Sequence, residues 1–180
     1  MIIRLTQKLA KKIKVAPTAA LPRDPNPFAD WIANLFTAER TQYIILTNSA
    51  SLYSVIFYGR GITESDIFID RSLSALAEHM RDAGHGAIFD KCIAPLAAEI
   101  VFSKTGDRQV MGSVNDHVQR AQIYLERPDA SPHTVSLKLN GTPMGALDYR
   151  YPREALAKQA GMSEPATGGG GKVIPFPRKS

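Results

Sequence analysis

The sequence has a single cysteine, Cys92, so no disulfide can form within the chain. A lone cysteine fits a reducing compartment, and we expect a cytoplasmic protein. No apolar run approaches the roughly 18 to 20 residues that a membrane-spanning helix needs, so we expect no membrane partner. The N-terminal segment MIIRLTQKLAKKIKV is basic. It lacks the long apolar stretch and the small-residue cleavage site of a secretory signal.

Motifs of known catalytic and metal sites are also missing. Cysteine pairs and a His-Glu-x-x-His string are absent, so no metal site is predicted. No Gly-x-Ser-x-Gly elbow occurs, and the glycines of a P-loop do not precede Lys104 and Thr105. These absences favour a protein without enzymatic activity and without a cofactor. The chain contains four histidines: His79, His85, His117 and His133.

Positive charge is concentrated at the two ends of the chain. The net charge is +5, of which residues 1–14 carry +5 and residues 151–180 carry +3, so residues 15–150 carry −3. A protein that binds nucleic acid on its sheet should place lysine and arginine in the folded middle of the chain. The charge distribution therefore disfavours that class.

Two apolar runs near the centre of the chain predict a β-hairpin. They lie within Thr41–Gly59, are rich in β-branched and aromatic residues, and are separated by a few small polar residues. The string FADWIANLF just before them predicts another strand. The alternating pattern of Glu99–Lys104 predicts another strand, and short strands are also predicted at Ile2–Leu5 and, at a sheet edge, Val135–Leu139.

Two longer segments show the period of amphipathic helices. One apolar stripe runs from Ile69 to Met80 and another from Val110 to Leu125. We predict an α+β fold in which a mostly antiparallel sheet is covered on one face by two long helices, near residues 65–83 and 107–126. A basic helix at 7–14 and a terminal helix that starts at Pro152 complete the prediction.

We predict one domain over residues 1–162 and a flexible, glycine-rich tail over residues 163–180. The tail, SEPATGGGGKVIPFPRKS, places three apolar side chains (Val173, Ile174 and Phe176) among prolines behind four glycines. Such a segment can serve as a docking peptide for another protein. The alternative is a tail end without a function.

One group of candidate binding residues lies between a predicted strand and a predicted helix. Lys104, Thr105, Asp107 and Arg108 occupy a position at which free backbone N–H groups bind anions. The structural alternative is a turn in which Asp107 caps the helix.

A second group consists of Trp31, Asn34, Asn48 and Asn115. Trp31 is predicted to lie in the core or to cover the sheet edge, with stacking on a ligand as the alternative. A small hydrolase or transferase would need these four side chains to converge in one pocket.

The strings FADWIANLF, YIILTN, SLYSVIFYGRG, EIVFSKTGDR and GSVND, in this order, resemble a bacterial family of unknown function that consists of small hypothetical proteins. Residues 1–155 are also similar to the N-terminal domain of longer proteins related to plasmid open reading frames and insertion-element passenger proteins. In the sequences that it resembles, a histidine often follows the tryptophan, and here that position is Ile32. The resemblance implies a bacterial source and a link with mobile DNA, but no reaction or cofactor.

Together these observations favour a non-enzymatic protein-interaction module, an accessory of a plasmid, phage or toxin–antitoxin locus with a protein partner. The first alternative is a nucleic-acid-associated protein that uses its basic N-terminal helix with Lys104 and Arg108. The second is the small hydrolase or transferase. The sequence does not determine the oligomeric state.

Overall fold

A computed structural model describes residues 1–162 of the 180-residue chain. Its centre is a five-stranded mixed sheet in the order β4-β3-β2-β1-β5. The β2–β3 and β3–β4 pairs are antiparallel, whereas β1 is parallel to both β2 and β5. The strands are β1 (Ile2–Leu5), β2 (Asp30–Ala38), β3 (Thr41–Asn48), β4 (Ser54–Tyr58) and β5 (Val101–Lys104). The α+β class and the predicted hairpin within Thr41–Gly59 are confirmed. The hairpin forms one edge of the sheet and not its centre, because β4 is the outermost strand.

Six α-helices surround the sheet in the described part of the chain. They are α1 (Gln7–Lys12), α2 (Ser65–Asp82), α3 (Gly86–Ile88), α4 (Arg108–Leu125), α5 (Pro132–Asn140) and α6 (Pro152–Gln159). The α3 turn continues as a π-helical turn over Phe89–Ile93 and a 3-10 turn over Ala94–Ala98, and another 3-10 turn covers Gly145–Leu147. None of the helices within residues 1–162 has the length and apolar character needed to cross a membrane.

The first face of the sheet is covered by α1, α2 and α6. Alternate residues of β2, beginning with the fully buried Trp31, point into this first core. The helices contribute Leu9 of α1, Leu76 and Met80 of α2, and Leu156 of α6.

The second face is covered by α4 and α5. Ile32 and Phe36 of β2 point to this side, where they belong to a second core with Val114 of α4 and Val135 of α5. The sheet is therefore the middle layer of the described fold.

The sequence predicts that the two long helices cover the same face of the sheet. In the structure they cover opposite faces. Leu76 of α2 lies in the first core, whereas Val114 of α4 lies in the second. An apolar stripe shows that a helix covers a sheet, but the connections to neighbouring strands decide which face it covers.

The predicted edge strand Val135–Leu139 is wrong, because these residues lie within α5. The helix begins with a capping box in which Ser131 Oγ accepts from the backbone N–H of Thr134, and Thr134 Oγ1 accepts from that of Ser131. Pro132 follows at the first helical position, where its missing N–H costs nothing. Val135 and Leu139 are one helical turn apart and both are buried.

Candidate functional site

The largest of the three described cavities lies on the second face of the sheet, with a volume of about 330 Å³. It lies between the start of α4 and the loop over residues 16–27, which carries four prolines and precedes β2. Its polar lining consists of Arg4, Arg23, Asp30, Ser49 and Asp107, and its apolar lining includes Leu21, Ile32 and Val110. We call this cavity the charged cleft.

The floor of the charged cleft is a buried ion pair between neighbouring parallel strands. Arg4 of β1 pairs in register with Ile32 of β2, which places its guanidinium next to Asp30 at the start of β2. Arg4 Nε lies 2.8 Å from Asp30 Oδ1, and Arg4 Nη2 lies 2.7 Å from Asp30 Oδ2. The two side chains are only 8% and 3% exposed. This two-bond geometry is the strong form of an arginine–carboxylate contact.

Asp30 accepts two further hydrogen bonds from outside the two strands. Ser49 Oγ donates to it at 2.8 Å and the backbone N–H of Asp24 at 3.3 Å. Burial alone would raise the pKa of the Asp30 carboxyl, but the hydrogen bonds from Arg4 and Ser49 outweigh burial and lower it. The carboxylate is therefore ionised at neutral pH and its oxygens are occupied.

The remaining N–H groups of Arg4 fix the proline-containing loop. Arg4 Nη1 donates to the backbone carbonyl of Leu21 at 2.8 Å, and Nη2 to that of Pro22 at 3.0 Å. Ser103 of β5 accepts from the backbone N–H of Leu21 at 2.9 Å. One wall of the cleft is thus tied to β1 and β5 by side-chain hydrogen bonds.

Two exposed charges of opposite sign lie at the mouth of the cleft. Arg23 is exposed and donates one hydrogen bond, from Nη2 to the backbone carbonyl of Ser49 at 2.8 Å. Asp107 is exposed and caps α4, since its Oδ1 accepts from the backbone N–H groups of Gln109 and Val110 at 2.9 and 3.1 Å. The predicted role of Asp107 as a helix cap is confirmed.

A smaller cavity of about 140 Å³ continues the charged cleft along α4. It shares Arg23, Ser49, Asp107 and Val110 with the larger cavity, and it ends at Ala146 and Leu147. The two cavities together form an elongated groove.

The second group of predicted binding residues does not converge in a pocket. Trp31 is fully buried in the first core and donates from Nε1 to the carbonyl of Phe28 at 2.8 Å. Asn48 is the buried last residue of β3, where its amide N–H groups donate to backbone carbonyls and its Oδ1 accepts from the N–H of Ser51. Asn34 is half-buried, and Asn115 is exposed on α4. Trp31, Asn34, Asn48 and Asn115 line none of the three described cavities.

Of the first predicted group, only Asp107 lines the charged cleft. Lys104 and Arg108 are exposed on either side of it along the chain, and Thr105 is half-buried. The predicted tail docking residues Val173, Ile174 and Phe176 lie outside the described residues.

The buried charges of the cleft, Arg4 and Asp30, were not predicted from the sequence. Arg4 stands inside the apolar string IIRL, and Asp30 begins the apolar strand DWIANLF. A charged side chain in an otherwise apolar, buried strand needs an oppositely charged partner. Two such strands that carry opposite charges therefore indicate a buried ion pair between them. The register of β1 against β2, which joins residues 26 positions apart, is visible only in the structure.

A third cavity, of about 250 Å³, lies between α2, β4 and the start of α5. Its lining includes Glu78, His79, His133 and Ser136. His79 is 2% exposed, and burial is the main reason that its pKa is lowered to about 4. Within residues 1–162 no group of three or more His, Cys, Asp or Glu side chains is arranged to hold a metal ion.

Another histidine, His117, is buried on the inner side of α4. His117 Nδ1 lies 2.8 Å from Ser54 Oγ, which in turn lies 2.8 Å from Thr47 Oγ1 and donates to the carbonyl of Leu52. Burial lowers the pKa of His117 to about 4. His117, Ser54 and Thr47 are fully buried, so this serine–histidine contact is part of the core.

The fold and the site define an α+β protein with a three-layer arrangement and a mixed-charge groove on the second face of its sheet. The chain belongs to the family described as Domain of unknown function (DUF6933), whose model matches residues 2–155. A comparison with curated proteins found no match.

Among solved structures, one similar chain occurs in the cryo-electron microscopy structure of the simian T-cell lymphotropic virus intasome in complex with PP2A regulatory subunit B56 gamma. The similarity covers 98% of this chain and 68% of that chain, with 12% sequence identity and a TM-score of 0.46. A TM-score below 0.5 carries no argument about fold or function.

Proposed function

We propose that this protein is a non-enzymatic protein-interaction module that binds an extended segment of a partner protein in the charged cleft. The observation that supports this most directly is the groove formed by the two joined cavities along α4. Its buried charges are already paired, and its exposed charges stand at the mouth. Such a groove suits the binding of a partner protein, because its apolar lining can bind an apolar side chain of the partner while its exposed charges bind a charged one.

The chemistry of the cleft argues against catalysis. Asp30 is the only buried carboxyl within residues 1–162, and it is ionised and fully hydrogen-bonded. A general acid or base needs a pKa near the working pH and a free position for the proton, and Asp30 has neither. His79 and His117 lie outside the charged cleft.

The lining of the cleft indicates the kind of segment that it fits. The half-buried Leu21 and Val110 stand beside the buried Ile32, and this apolar part of the lining can take an aliphatic side chain. The guanidinium of Arg23 makes one hydrogen bond in the structure, and its other N–H groups can bind a carboxylate. We therefore expect a partner segment with an acidic residue next to an aliphatic one.

An affinity purification with cleft variants tests the proposal. The full chain, the cleft variants Arg23→Glu and Val110→Lys, and the control Arg60→Glu are used as baits in a bacterial lysate, and bound proteins are identified by mass spectrometry. Arg60 is exposed and follows β4, so its charge reversal matches that of Arg23 without changing the cleft. A partner retained by the full chain and by Arg60→Glu, but lost by both cleft variants, supports the proposal, and titration of the purified partner then gives the loss in affinity.

Two results would contradict it. If the same proteins bind to all four baits, the cleft is not the binding surface. If the purified protein turns over a nucleotide or a nucleic acid, the non-enzymatic assignment fails.

The accessory role at a plasmid, phage or toxin–antitoxin locus, and the docking role of Val173, Ile174 and Phe176, remain predictions. A bait that ends at Gly161 tests the tail separately, because the shortened bait keeps the whole charged cleft. A partner lost from the shortened chain but kept by Arg23→Glu would assign binding to the tail.

The alternative partner is nucleic acid. It is favoured by the exposed basic side chains of α1, Lys8 and Lys11, and by the exposed Lys104 and Arg108 beside α4. In that case binding should weaken steeply with salt, and Lys8→Glu with Lys11→Glu should reduce the slope of affinity against salt. Affinity that is insensitive to both changes would rule this function out.

A further inference from the structure

The outermost strand β4 has one long edge that pairs with β3 and one that faces away from the sheet. Gly59, directly after β4, donates its N–H to the carbonyl of Gln42 at 2.8 Å, so it is one of the residues that bond toward β3. Residues that bond inward and outward alternate along an antiparallel strand. The N–H and carbonyl groups of Ser54, Ile56 and Tyr58 therefore point to the outer edge.

The helix α5 covers only the first half of this outer edge. Asn140 accepts from the backbone N–H of Ser54 and donates to its carbonyl, both at 2.8 Å. Ser136 Oγ accepts from the backbone N–H of Ile56 at 2.8 Å. Within residues 1–162 no hydrogen bond reaches the carbonyl of Ile56 or the N–H and carbonyl of Tyr58. Three backbone groups in the second half of β4 are thus left for a further strand.

The third cavity, of about 250 Å³, lies along this second half of β4, and we call it the edge groove. Its floor is the strand itself, from Val55 to Tyr58. One wall is α2 on the first face of the sheet, and the other is the start of α5 on the second face. The edge groove therefore lies in the plane of the sheet, where another strand would continue it.

On the second face, a row of aromatic rings ends at the edge groove. Phe36, Tyr43 and Tyr58 are in register on three neighbouring strands, and the centroids of successive rings are 5.6 and 5.3 Å apart. The last ring, that of Tyr58, is 54% exposed. Residues directly opposite each other on neighbouring strands have their side chains on the same face. A large apolar or aromatic side chain opposite Tyr58 would therefore continue the row and cover this ring.

On the first face, the edge groove has an acidic wall. Phe57 points to this face, and the α2 wall beside it includes the half-buried Ala75 and the exposed Glu78. Glu78 has no ion pair within residues 1–162, and the exposed Asp82 follows it one helical turn later. None of the described lining residues is a lysine or an arginine. A basic side chain opposite Phe57 would lay its methylene groups on Ala75 and its charge near Glu78.

We propose that the edge groove binds an extended segment of a partner protein as a further antiparallel strand beside β4. The segment has an aromatic or large apolar residue opposite Tyr58, followed by a lysine or arginine opposite Phe57. The aromatic residue exchanges two backbone hydrogen bonds with Tyr58, and the residue after the basic one donates its N–H to the carbonyl of Ile56. In strand addition of this kind, main-chain bonds give affinity and alternate side chains give specificity.

This second surface is independent of the charged cleft, because the two cavities share only the sheet and no lining residue except those of different strands. The cleft is expected to take an acidic segment, whereas the edge groove takes a basic one. Failure of either proposal therefore leaves the other intact.

A capped synthetic peptide, acetyl-Thr-Val-Phe-Lys-Val-Thr-amide, tests the proposal by titration into the isotope-labelled full chain, followed by NMR. Its phenylalanine is meant to lie opposite Tyr58 and its lysine opposite Phe57. The backbone amide signal of Tyr58 should shift in a saturable way, because this N–H gains a carbonyl acceptor. The amide signals of Ser49 and Val110, in the charged cleft, should not move.

Two N-methylated peptides separate backbone pairing from general stickiness. A methyl group on the phenylalanine nitrogen removes the N–H that would donate to Tyr58, and affinity should fall at least about tenfold. A methyl group on the lysine nitrogen removes an N–H that would point away from β4, and this peptide should bind like the unmodified one.

Two charge reversals in the protein test the acidic wall. Glu78→Lys should weaken binding of the peptide at least about fivefold, since it replaces attraction by repulsion at an exposed position. The matched control is Asp116→Lys, on the exposed side of α4 and outside the three described cavities, which should leave the affinity unchanged.

Four outcomes would overturn the proposal. The Tyr58 signal does not respond to the peptide, or the signals of Ser49 and Val110 shift in its place. In a third outcome, the peptide methylated at phenylalanine binds as tightly as the unmodified one. In the fourth, the Tyr58 amide of the full chain alone is as protected from hydrogen exchange as that of Ile45 in β3, which means that a second copy or residues 163–180 already occupy the edge.

Discussion

Arg4 and Asp30 are joined by two hydrogen bonds, of 2.8 and 2.7 Å, across the parallel pair of β1 and β2, and both are almost completely buried. This ion pair connects the sheet to two neighbouring loops. Through Arg4 it holds the loop at Leu21 and Pro22, and through Asp30 it holds Ser49 after β3. The charged cleft keeps its shape because this pair is satisfied on all sides.

Asp30→Ala should be strongly destabilising, because it leaves the guanidinium of Arg4 buried without its counter-ion. We expect a loss of about 3 to 5 kcal/mol in the free energy of unfolding, measured by urea denaturation at pH 7.5. The matched control is Glu64→Ala, which removes the exposed ion pair with Lys14 and should cost less than about 1 kcal/mol. Similar losses in the two variants would show that the buried pair contributes little.

Stability should fall as the pH falls from 6.5 towards 4. His79 and His117 have pKa values of about 4 in the folded protein, against an ordinary value of 6.5. Between these values the unfolded chain binds more protons, so each histidine lowers the free energy of unfolding by up to about 1.4 kcal/mol per pH unit. Above pH 6.5 their contribution is constant. Asp30 does not contribute to this slope. Its lowered pKa stabilises the folded protein at every pH above 3.8, and this stabilisation is lost only as the pH falls below that value.

Urea denaturation at several pH values between 7.5 and 4.5 measures this slope. His117→Gln keeps an amide N–H that can donate to Ser54 but does not titrate, so its slope should be shallower by up to about 1.4 kcal/mol per pH unit. Equal slopes for the variant and the wild type would show that His117 titrates normally in the fold.

Asn140→Ala should destabilise the protein by at least about 2 kcal/mol, since it leaves buried groups of Ser54 and His79 without their partner. The control is Asn115→Ala on the exposed side of α4, which should change the free energy of unfolding by no more than about 0.5 kcal/mol. Thermal or urea denaturation measures both. If Asn115→Ala were the more damaging variant, the assignment of the edge contacts would be wrong.

The fluorescence of Trp31 should change when the protein unfolds and change little when a ligand binds. It is the only tryptophan, it is fully buried, and it lies in the first core, on the face of the sheet opposite the charged cleft. Native fluorescence should therefore resist quenching by iodide and respond weakly to a partner bound in the cleft. Trp31→Ala should cost about 3 to 5 kcal/mol of stability. Strong iodide quenching in the native state would instead support an exposed, ligand-stacking tryptophan.

The strands and the long helices could be predicted from the sequence because their patterns are long and consistent. The eight residues of β3 and the adjoining strands are rich in β-branched and aromatic side chains, and the α2 and α4 stripes extend over several turns. The five alternating residues of Val135–Leu139 were too few to separate a strand from a helix. The signal that could have corrected the prediction lies just before them, in the Ser131-Pro132 start of the capping box.

The site was less predictable than the fold, because it depends on contacts between distant parts of the chain. Asp107 was identified, since a cap acts on the residues that follow it directly. Arg4 and Asp30 come together only through the register of two parallel strands, and Ser49 reaches them only through the turn after β3. The placement of α2 and α4 on opposite faces of the sheet likewise depends on how the chain connects these helices to the strands, which their own sequences do not reveal.

The helix α5 has a consequence for the behaviour of this protein in concentrated solution. An uncovered strand edge is a template on which further copies of a chain can add strand by strand, and natural proteins suppress this growth with short edges, charges or covering elements. Here two side chains, Ser136 and Asn140, occupy backbone positions that such growth would need. Substitutions that loosen α5 should therefore appear first as fibre formation or precipitation on storage, before any change in the inner strands β2 and β3.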